Sequence, residues 1–385
     1  MFNFTTLPPL SLYLHIPWCI RKCPYCDFNS HQAKDGIPEG RYVAALIADL
    51  EQELPEIWGR QVHSVFIGGG TPSLFSAEAL DELLSGLRAR LNLAANAEIT
   101  LEANPGTVEA DKFREFRTLG INRLSIGAQS FNDDALQRIG RIHGRKEAIR
   151  AAETAHAAGF DNFNLDLMFG LPQQGLAQAR EDVATAIALE PTHISHYQLT
   201  LEPNTLFHHN PPVLPEDEQL WRMQEQCHEQ LAAAGYQHYE VSAFAKPERH
   251  CLHNLNYWQF GDYLGIGAGA HGKISNAQQQ TILRRSKLRH PTDYLAQAHG
   301  PGRIATEQTL SRADAGFEFM LNALRLTEGF APHLFSDHTG LPISQVEPRL
   351  RQAEEAGLIE WSVQRIRPTA KGHNYLNELL QLFLP

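Results

Sequence analysis

Cysteine is scarce in this chain, with five residues in 385, and the odd number rules out a fully paired disulfide framework. Positive charge is in deficit too. Lys and Arg number 33 against 44 Asp and Glu, a formal net charge of −11, so a nucleic-acid-binding surface is not expected to be the main business of the molecule. No window approaches eighteen uninterrupted apolar residues, and no membrane-spanning helix is expected. The N-terminal stretch MFNFTTLPPLSLYLHIPWC lacks the basic start and long apolar run of a secretory signal. With the odd cysteine count, this makes the cytoplasm the expected compartment. Gly (28) and Pro (22) stand at ordinary levels, which excludes a collagen-like or low-complexity chain. A 43% hydrophobic content is enough to bury one large domain and a small one.

What the chain does have is a rhythm. Short apolar runs at Leu12–Ile16, Val65–Ile67, Ile99–Glu102, Arg123–Ile126, Asn164–Met168 and Ile194–Leu199 read as strands. Between them Arg41–Leu54, Ala77–Leu91, Glu109–Leu119, Arg145–Ala158 and Leu176–Leu189 carry apolar residues at three- and four-residue intervals, as core-facing helices do. Six such alternations predict an α/β fold with parallel strands and right-handed crossovers. Eight units would close a full barrel, so a shorter and open (β/α)6 barrel fits the length better.

After Leu214 the rhythm changes. Glu216–Ala234 reads as one long helix, followed by a loop-rich stretch through Gly272 that contains HNLNYW and LGIGAGAHG. Residues 273–304, polar and patchily basic, read as a linker or surface excursion. From Ser311 a compact unit follows: helices Ala313–Leu326 and Ile343–Ala356, a hairpin in LIEWSVQRIRPTAKG, and helix Asn374–Phe383. That order suggests a winged-helix-like module. Acidic residues slightly outnumber basic ones there, which argues against DNA binding. The expected division is a core of residues 1–240, a region 241–310 and a C-terminal module 311–385.

Three of the five cysteines, Cys19, Cys23 and Cys26, fall within eight residues directly after the first strand. Thiolates at C-x3-C-x2-C can wrap one compact metal centre. On a [4Fe–4S] cluster they would leave one iron without a protein ligand, open to a bidentate small molecule. Inert thiols are one alternative, and zinc, with His15 or His31 as a fourth ligand, is the other. The remaining strand ends carry polar groups: Gly68-Gly69-Gly70-Thr71-Pro72, Glu102-Ala-Asn104, Gly127-Ala-Gln129, Arg141 in GRIHG, Asp166, and Tyr197 with Thr200. Each has a bland reading as a helix cap or rim ion pair. Together they suit one small molecule with amino, carboxylate and ribose groups.

The cysteine loop, the GGGTP turn and this polar ring resemble the radical S-adenosylmethionine (SAM) superfamily. YLHIPWCIRKCPYCDFNS, FIGGGTPS, EANPGT, IGAQSF, GRIHG and LDLMFGLP are most similar to its coproporphyrinogen-dehydrogenase-like group, in the haem-chaperone branch, HemW. The resemblance runs from Tyr13 into the C-terminal module. It implies that Cys19, Cys23 and Cys26 ligate a [4Fe–4S] cluster, that SAM chelates the fourth iron, and that Gly69, Gly70 and Thr71 lie beside its methionine part. Tyr13, Tyr25, Glu102, Gln129, Arg141 and Asp166 correspond to positions lining SAM, whose sulfonium a reduced cluster would cleave to a 5′-deoxyadenosyl radical.

Two departures bear on function within that group. The dehydrogenases continue to a fourth cysteine, C-x3-C-x2-C-x-C, where this chain has Phe28, and they carry a longer extension than the twelve residues preceding Tyr13. Further on, HNxxYW resembles the haem-chaperone signature. It implies that His253 contacts haem, by ligation or covalently, with Tyr257 and Trp258 stacking on the porphyrin. The residues alone favour His253 bonding a loop and the aromatics filling core. His250 and Cys251 adjoin the motif, and His271 is a further, less supported candidate. A SAM- and cluster-binding haem carrier is thus the first reading. A radical SAM decarboxylase of coproporphyrinogen III is the second, and a zinc-stabilised binding protein with a regulatory winged helix the third. The expected partners are haem, haem-acceptor proteins of the respiratory kind, a membrane met through such an acceptor, and a second copy if a surface cluster marks a dimer interface. Nucleic acid is not expected.

Overall fold

The run LSLYLHI at Leu10–Ile16 is buried on both faces, as a strand must be where both sides of a parallel sheet are covered. It forms β1 in a computed structural model that describes residues 2–34, 36–106 and 110–385. β2 (Gln61–Gly69), β3 (Asn92–Ala103), β4 (Arg123–Gln129), β5 (Phe163–Phe169) and β6 (His193–Gln198) follow, each pairing in parallel with the strand before it. Helices α1 (Glu39–Glu53), α2 (Ala77–Arg88), α3 (Ala110–Thr118), α4 (Arg145–Ala157) and α5 (Leu176–Ala188) join them, and α6 (Asp217–Ala233) follows β6. In α2 the buried set Leu80, Leu83, Leu84 and Leu87 has the spacing of a helix laid on a sheet. Thr107 of EANPGT and Glu109, where the third helix was expected to begin, lie outside the described residues. The six parallel strands make the partial barrel that the alternation predicts.

Both flanks of that barrel are extended. On one side β6 pairs with β8 (Ala243–Ala245), which pairs with β7 (Gln237–Glu240). On the other, β1 pairs in parallel with β9 (Asp262–Ile266), then β10 (His271–Asn276), β11 (Thr281–Lys287) and β12 (Ile304–Thr309) continue antiparallel. Among the described residues this is one twelve-stranded sheet, in the order β12-β11-β10-β9-β1-β2-β3-β4-β5-β6-β8-β7.

The reading of residues 273–304 as a linker is therefore wrong. Three of their charges, Lys273, Lys287 and Arg303, are buried in ion pairs instead of being solvated. Lys273 Nζ lies 2.9 Å from Asp262, Lys287 Nζ lies 2.6 Å from both Asp49 and Glu53 of α1, and Arg303 bonds the same two carboxylates. Removing one member of such a buried group leaves charge uncompensated. Lys287→Met is expected to cost about 3 kcal/mol of folding stability, measured as a lower urea midpoint. The loop reading of HNLNYW needs correction too, because Leu252–Trp258 is a helix, α7.

The C-terminal module comprises α8 (Arg312–Ala323), α9 (Pro332–Thr339), α10 (Glu347–Glu355) and the antiparallel pair Ile359–Trp361 and Ile366–Pro368. Two short helices, Ala370–Asn374 and Leu376–Gln381, follow where one helix over Asn374–Phe383 was expected. The short α9 was not legible in the sequence. The module's core also takes in Phe2 and Phe4, with Phe260 and Ile282 from the sheet extension. Asn3 N–H donates to Gly340 O at 2.8 Å. The chain's first residues are thus packed into its last unit, and the barrel core itself reaches Ile266, Tyr294 and Ala298. Neither core stops at residue 240.

Candidate functional site

β1 delivers the chain to the mouth of the barrel, where Trp18–Cys19 pairs with His31–Gln32 and closes the cysteine loop. Cys19, Cys23 and Cys26 are free thiols, each partly exposed. Burial pushes the Cys19 and Cys26 thiols above their ordinary range, so a metal must displace protons to bind there. Among the described residues, no three His, Cys, Asp or Glu side chains converge on a point suited to a single ion. A cubane cluster takes each thiolate on a different iron and needs no such convergence. The candidate zinc ligands face elsewhere. His15 bonds the Tyr13 hydroxyl (2.9 Å) and Asn29 O (2.8 Å), and His31 bonds Asn29 Oδ1 (3.3 Å).

The GGGTP turn after β2 explains its own composition. A Cβ on Gly70 would clash with Trp18 O, and Gly69 has φ = 121° with its absent Cβ 2.8 Å from the His15 ring. Gly70 N–H donates to Ile16 O (2.8 Å) and Thr71 N–H to Trp18 O (2.7 Å). The glycines let the second strand's end press against the start of the cysteine loop. Gly70→Ala is expected to displace that loop and lower iron uptake on reconstitution, with circular dichroism of the barrel retained.

Thr71 begins a polar chain that ties distant motifs to the loop. Its hydroxyl donates to Cys19 Sγ (3.6 Å) and accepts from Asn104 Nδ2 (2.8 Å). Arg141 Nη2 donates to Asn104 Oδ1 (2.6 Å) and Gly127 O (2.6 Å), while Nη1 lies 3.9 Å from Cys23 Sγ. Gly140 has φ = 74° and no side chain, so Pro24 of the loop packs directly on it. Tyr25 packs against the small apolar cluster that includes Leu136 and Ile139. Asn104 is the middle link of this chain. The sequence places it at a polar strand end but gives it no role of its own.

Deeper in the mouth, Glu102 Oε2 accepts the Gly69 N–H at 2.9 Å. Burial, with a further push from Asp166, raises its carboxyl to about 8 despite that bond. Asp166 is held by Asn164 Nδ2 (2.8 Å) and Ser125 Oγ (3.2 Å), and burial raises it as well. Gln129 is a buried non-glycine residue at φ = 67°, with its Oε1 accepting from Tyr197 (2.7 Å).

A cavity of about 680 Å³ opens beside these strand ends. Tyr13, Gly69 and Glu102 form its barrel wall, Phe28 and Asn29 come from the cysteine loop, and Tyr257 and Trp258 from the end of α7. β10 and β11 supply the facing wall. Thr71 and Arg141 line a much smaller recess with Cys23 and Asn104. His253 lines neither: it is buried, bonded to Ser64 Oγ (3.0 Å) and to the Tyr257 hydroxyl (3.1 Å), and burial pushes its pKa down to about 3. Cys251 is equally enclosed, its thiol pushed up to about 12 by burial. Glu98, which no motif marked, caps α7 by accepting the N–H groups of Leu252 and His253, each at 3.1 Å.

A partial barrel with this loop at its mouth places the chain among radical SAM proteins. Residues 13–186 match the radical SAM superfamily and residues 310–373 the HemN C-terminal domain. That superfamily implies a [4Fe–4S] cluster and SAM as cofactors. The chain belongs to the HemW family. It is 52% identical to the heme chaperone HemW of Escherichia coli over 378 residues (98% of this chain, 99% of the other). It is 50% identical to HemW of Haemophilus influenzae (98% of each chain) and 35% identical to HemW of Bacillus subtilis (97% and 99%). The solved coproporphyrinogen III oxidase HemN of Escherichia coli shares the fold, with a TM-score of 0.82 at 24% identity, covering 98% of this chain and 90% of that one. Among the described residues, no helix is long and apolar enough to cross a membrane.

Proposed function

We propose that this chain is a haem chaperone, taking haem into the cavity between the barrel mouth and β9–β12 and passing it to acceptor proteins, respiratory ones among them. The observation that carries this reading is the cavity. Its size is that of a cofactor site, and Phe28, Tyr257 and Trp258 offer aromatic surface to a flat apolar ring. Phe28 also occupies the place of the dehydrogenases' fourth cysteine.

In this reading Cys19, Cys23 and Cys26 hold the cluster, and the Thr71–Asn104–Arg141 chain braces the loop that carries them. Tyr13, Tyr25, Gly69, Gly70, Thr71, Glu102, Gln129, Arg141 and Asp166 receive SAM. Arg141 offers a cation for a carboxylate, while Glu102 and Asp166 offer acceptors for amino and hydroxyl groups. When bound, the cluster and SAM together supply one-electron cleavage of a sulfonium.

The test is anaerobic reconstitution with iron and sulfide, followed by parallel incubation with haem plus an apo-cytochrome and with coproporphyrinogen III. Haem binding and transfer, with the porphyrinogen unchanged, is expected. Decarboxylation of the porphyrinogen, with 5′-deoxyadenosine formed alongside, would replace this reading with the dehydrogenase one.

A further inference from the structure

Histidine is the natural iron ligand to look for in a haem cavity, and binding a metal requires a neutral imidazole with a free nitrogen. Two histidines line this cavity, His15 and His271. His15 has both ring nitrogens engaged, by Tyr13 and Asn29. His253 of the HNxxYW sequence is engaged twice as well and lies behind the wall. His271, the first residue of β10, is exposed, and its ring makes no hydrogen bond among the described residues. Burial, then Arg284 and Arg289, hold its pKa below the ordinary value, so it is neutral at pH 7.

The cations of the same wall divide in a similar way. Lys273 is paired with Asp262, Arg284 with Glu318, and Lys287 with Asp49 and Glu53. Arg289 lines the cavity, is exposed, and has no carboxylate partner among the described residues. Across the cavity, the Trp258 indole N–H is buried without an acceptor among the described residues. An imidazole, an aromatic wall and an unpaired guanidinium suit a porphyrin's iron, ring and propionates respectively.

We propose that His271 is the protein ligand to the haem iron and that Arg289 receives a propionate, an assignment that rests on the haem-carrier reading above. His253 then acts as a positioning residue. Through its bond to the Tyr257 hydroxyl, and with Ser64 and Ser11 behind it, it holds the Tyr257 ring on the cavity wall.

Haem titration of the reconstituted full chain, followed by Soret absorption and resonance Raman, tests this. His271→Ala is expected to lose the histidine-ligated spectrum and to weaken binding at least about tenfold, the low end of what lost support costs at metal centres. Added imidazole should restore the spectrum. His253→Ala should keep the wild-type spectrum at reduced affinity. Arg289→Ala should weaken binding of haem and not of its dimethyl ester. A wild-type spectrum in His271→Ala, or its loss in a folded His253→Ala, overturns the assignment while leaving the carrier reading intact. A wild-type chain that binds no haem overturns both.

Discussion

Replacing any one of Cys19, Cys23 or Cys26 by Ala is expected to abolish stable cluster assembly, with iron and acid-labile sulfide falling to background after anaerobic reconstitution. In the proposed reading each thiol serves a different iron, so no remaining pair can make up for the third. Nor is there a spare: Cys227 and Cys251 are fully buried in other parts of the fold. SAM binding is expected to fall with the cluster, since the open iron is its anchor in this reading. The fold should persist. The three side chains are partly exposed and form no disulfide, so the stability change should stay within about 0.5 kcal/mol, the range of ordinary surface substitutions. Near-stoichiometric iron in a Cys23→Ala protein would sink the assignment.

The second large effect is expected at Glu102. Its carboxyl titrates at about 8 because it is buried and faces Asp166. At neutral pH it is therefore mostly protonated, and a ligand bringing sulfonium charge favours the ionised form. SAM binding should release a proton near pH 7. Affinity should rise with pH and level off above about 8, as calorimetry in buffers of different ionisation enthalpy would detect. Glu102→Gln can still accept the Gly69 N–H but cannot ionise. It should lose about 2 kcal/mol of SAM affinity, roughly thirtyfold, as for a hydrogen bond to a charged group.

The same carboxyl makes a stability prediction with the opposite sign. Its pKa is higher folded than unfolded, so the unfolded chain gives up this proton first. Stability falls as pH rises from about 4.5 towards about 8 and then levels. Without ligand, Glu102→Gln should therefore be more stable than wild type at pH 8.5 and no more stable at pH 4, read from urea midpoints.

Much of the barrel was legible because its signals are local. Leu12–Ile16 reads as a strand by its short apolar run and Ala77–Leu91 as a helix by its three- and four-residue period, and the structure forms Leu10–Ile16 and Ala77–Arg88 there. The C-x3-C-x2-C spacing lies within one loop and needs no fold to be seen. The failures share a cause of the opposite kind. Lys273, Lys287 and Arg303 look solvated until Asp262, Asp49 and Glu53 are brought beside them from distant parts of the chain. α7 begins where it does because Glu98 of β3 caps it from more than 150 residues away.

By itself, the sequence determined the parallel α/β order, the three-thiol loop and the polar residues at the strand ends, since each is written within a few residues or in a repeated period. Tertiary structure alone decided which of those groups is free to act. A histidine's capacity to bind iron depends on whether its nitrogens are already bonded. His253, marked by its motif, has both engaged by Ser64 and Tyr257, while His271, marked by nothing but the glycines before it, faces the cavity with neither bonded among the described residues.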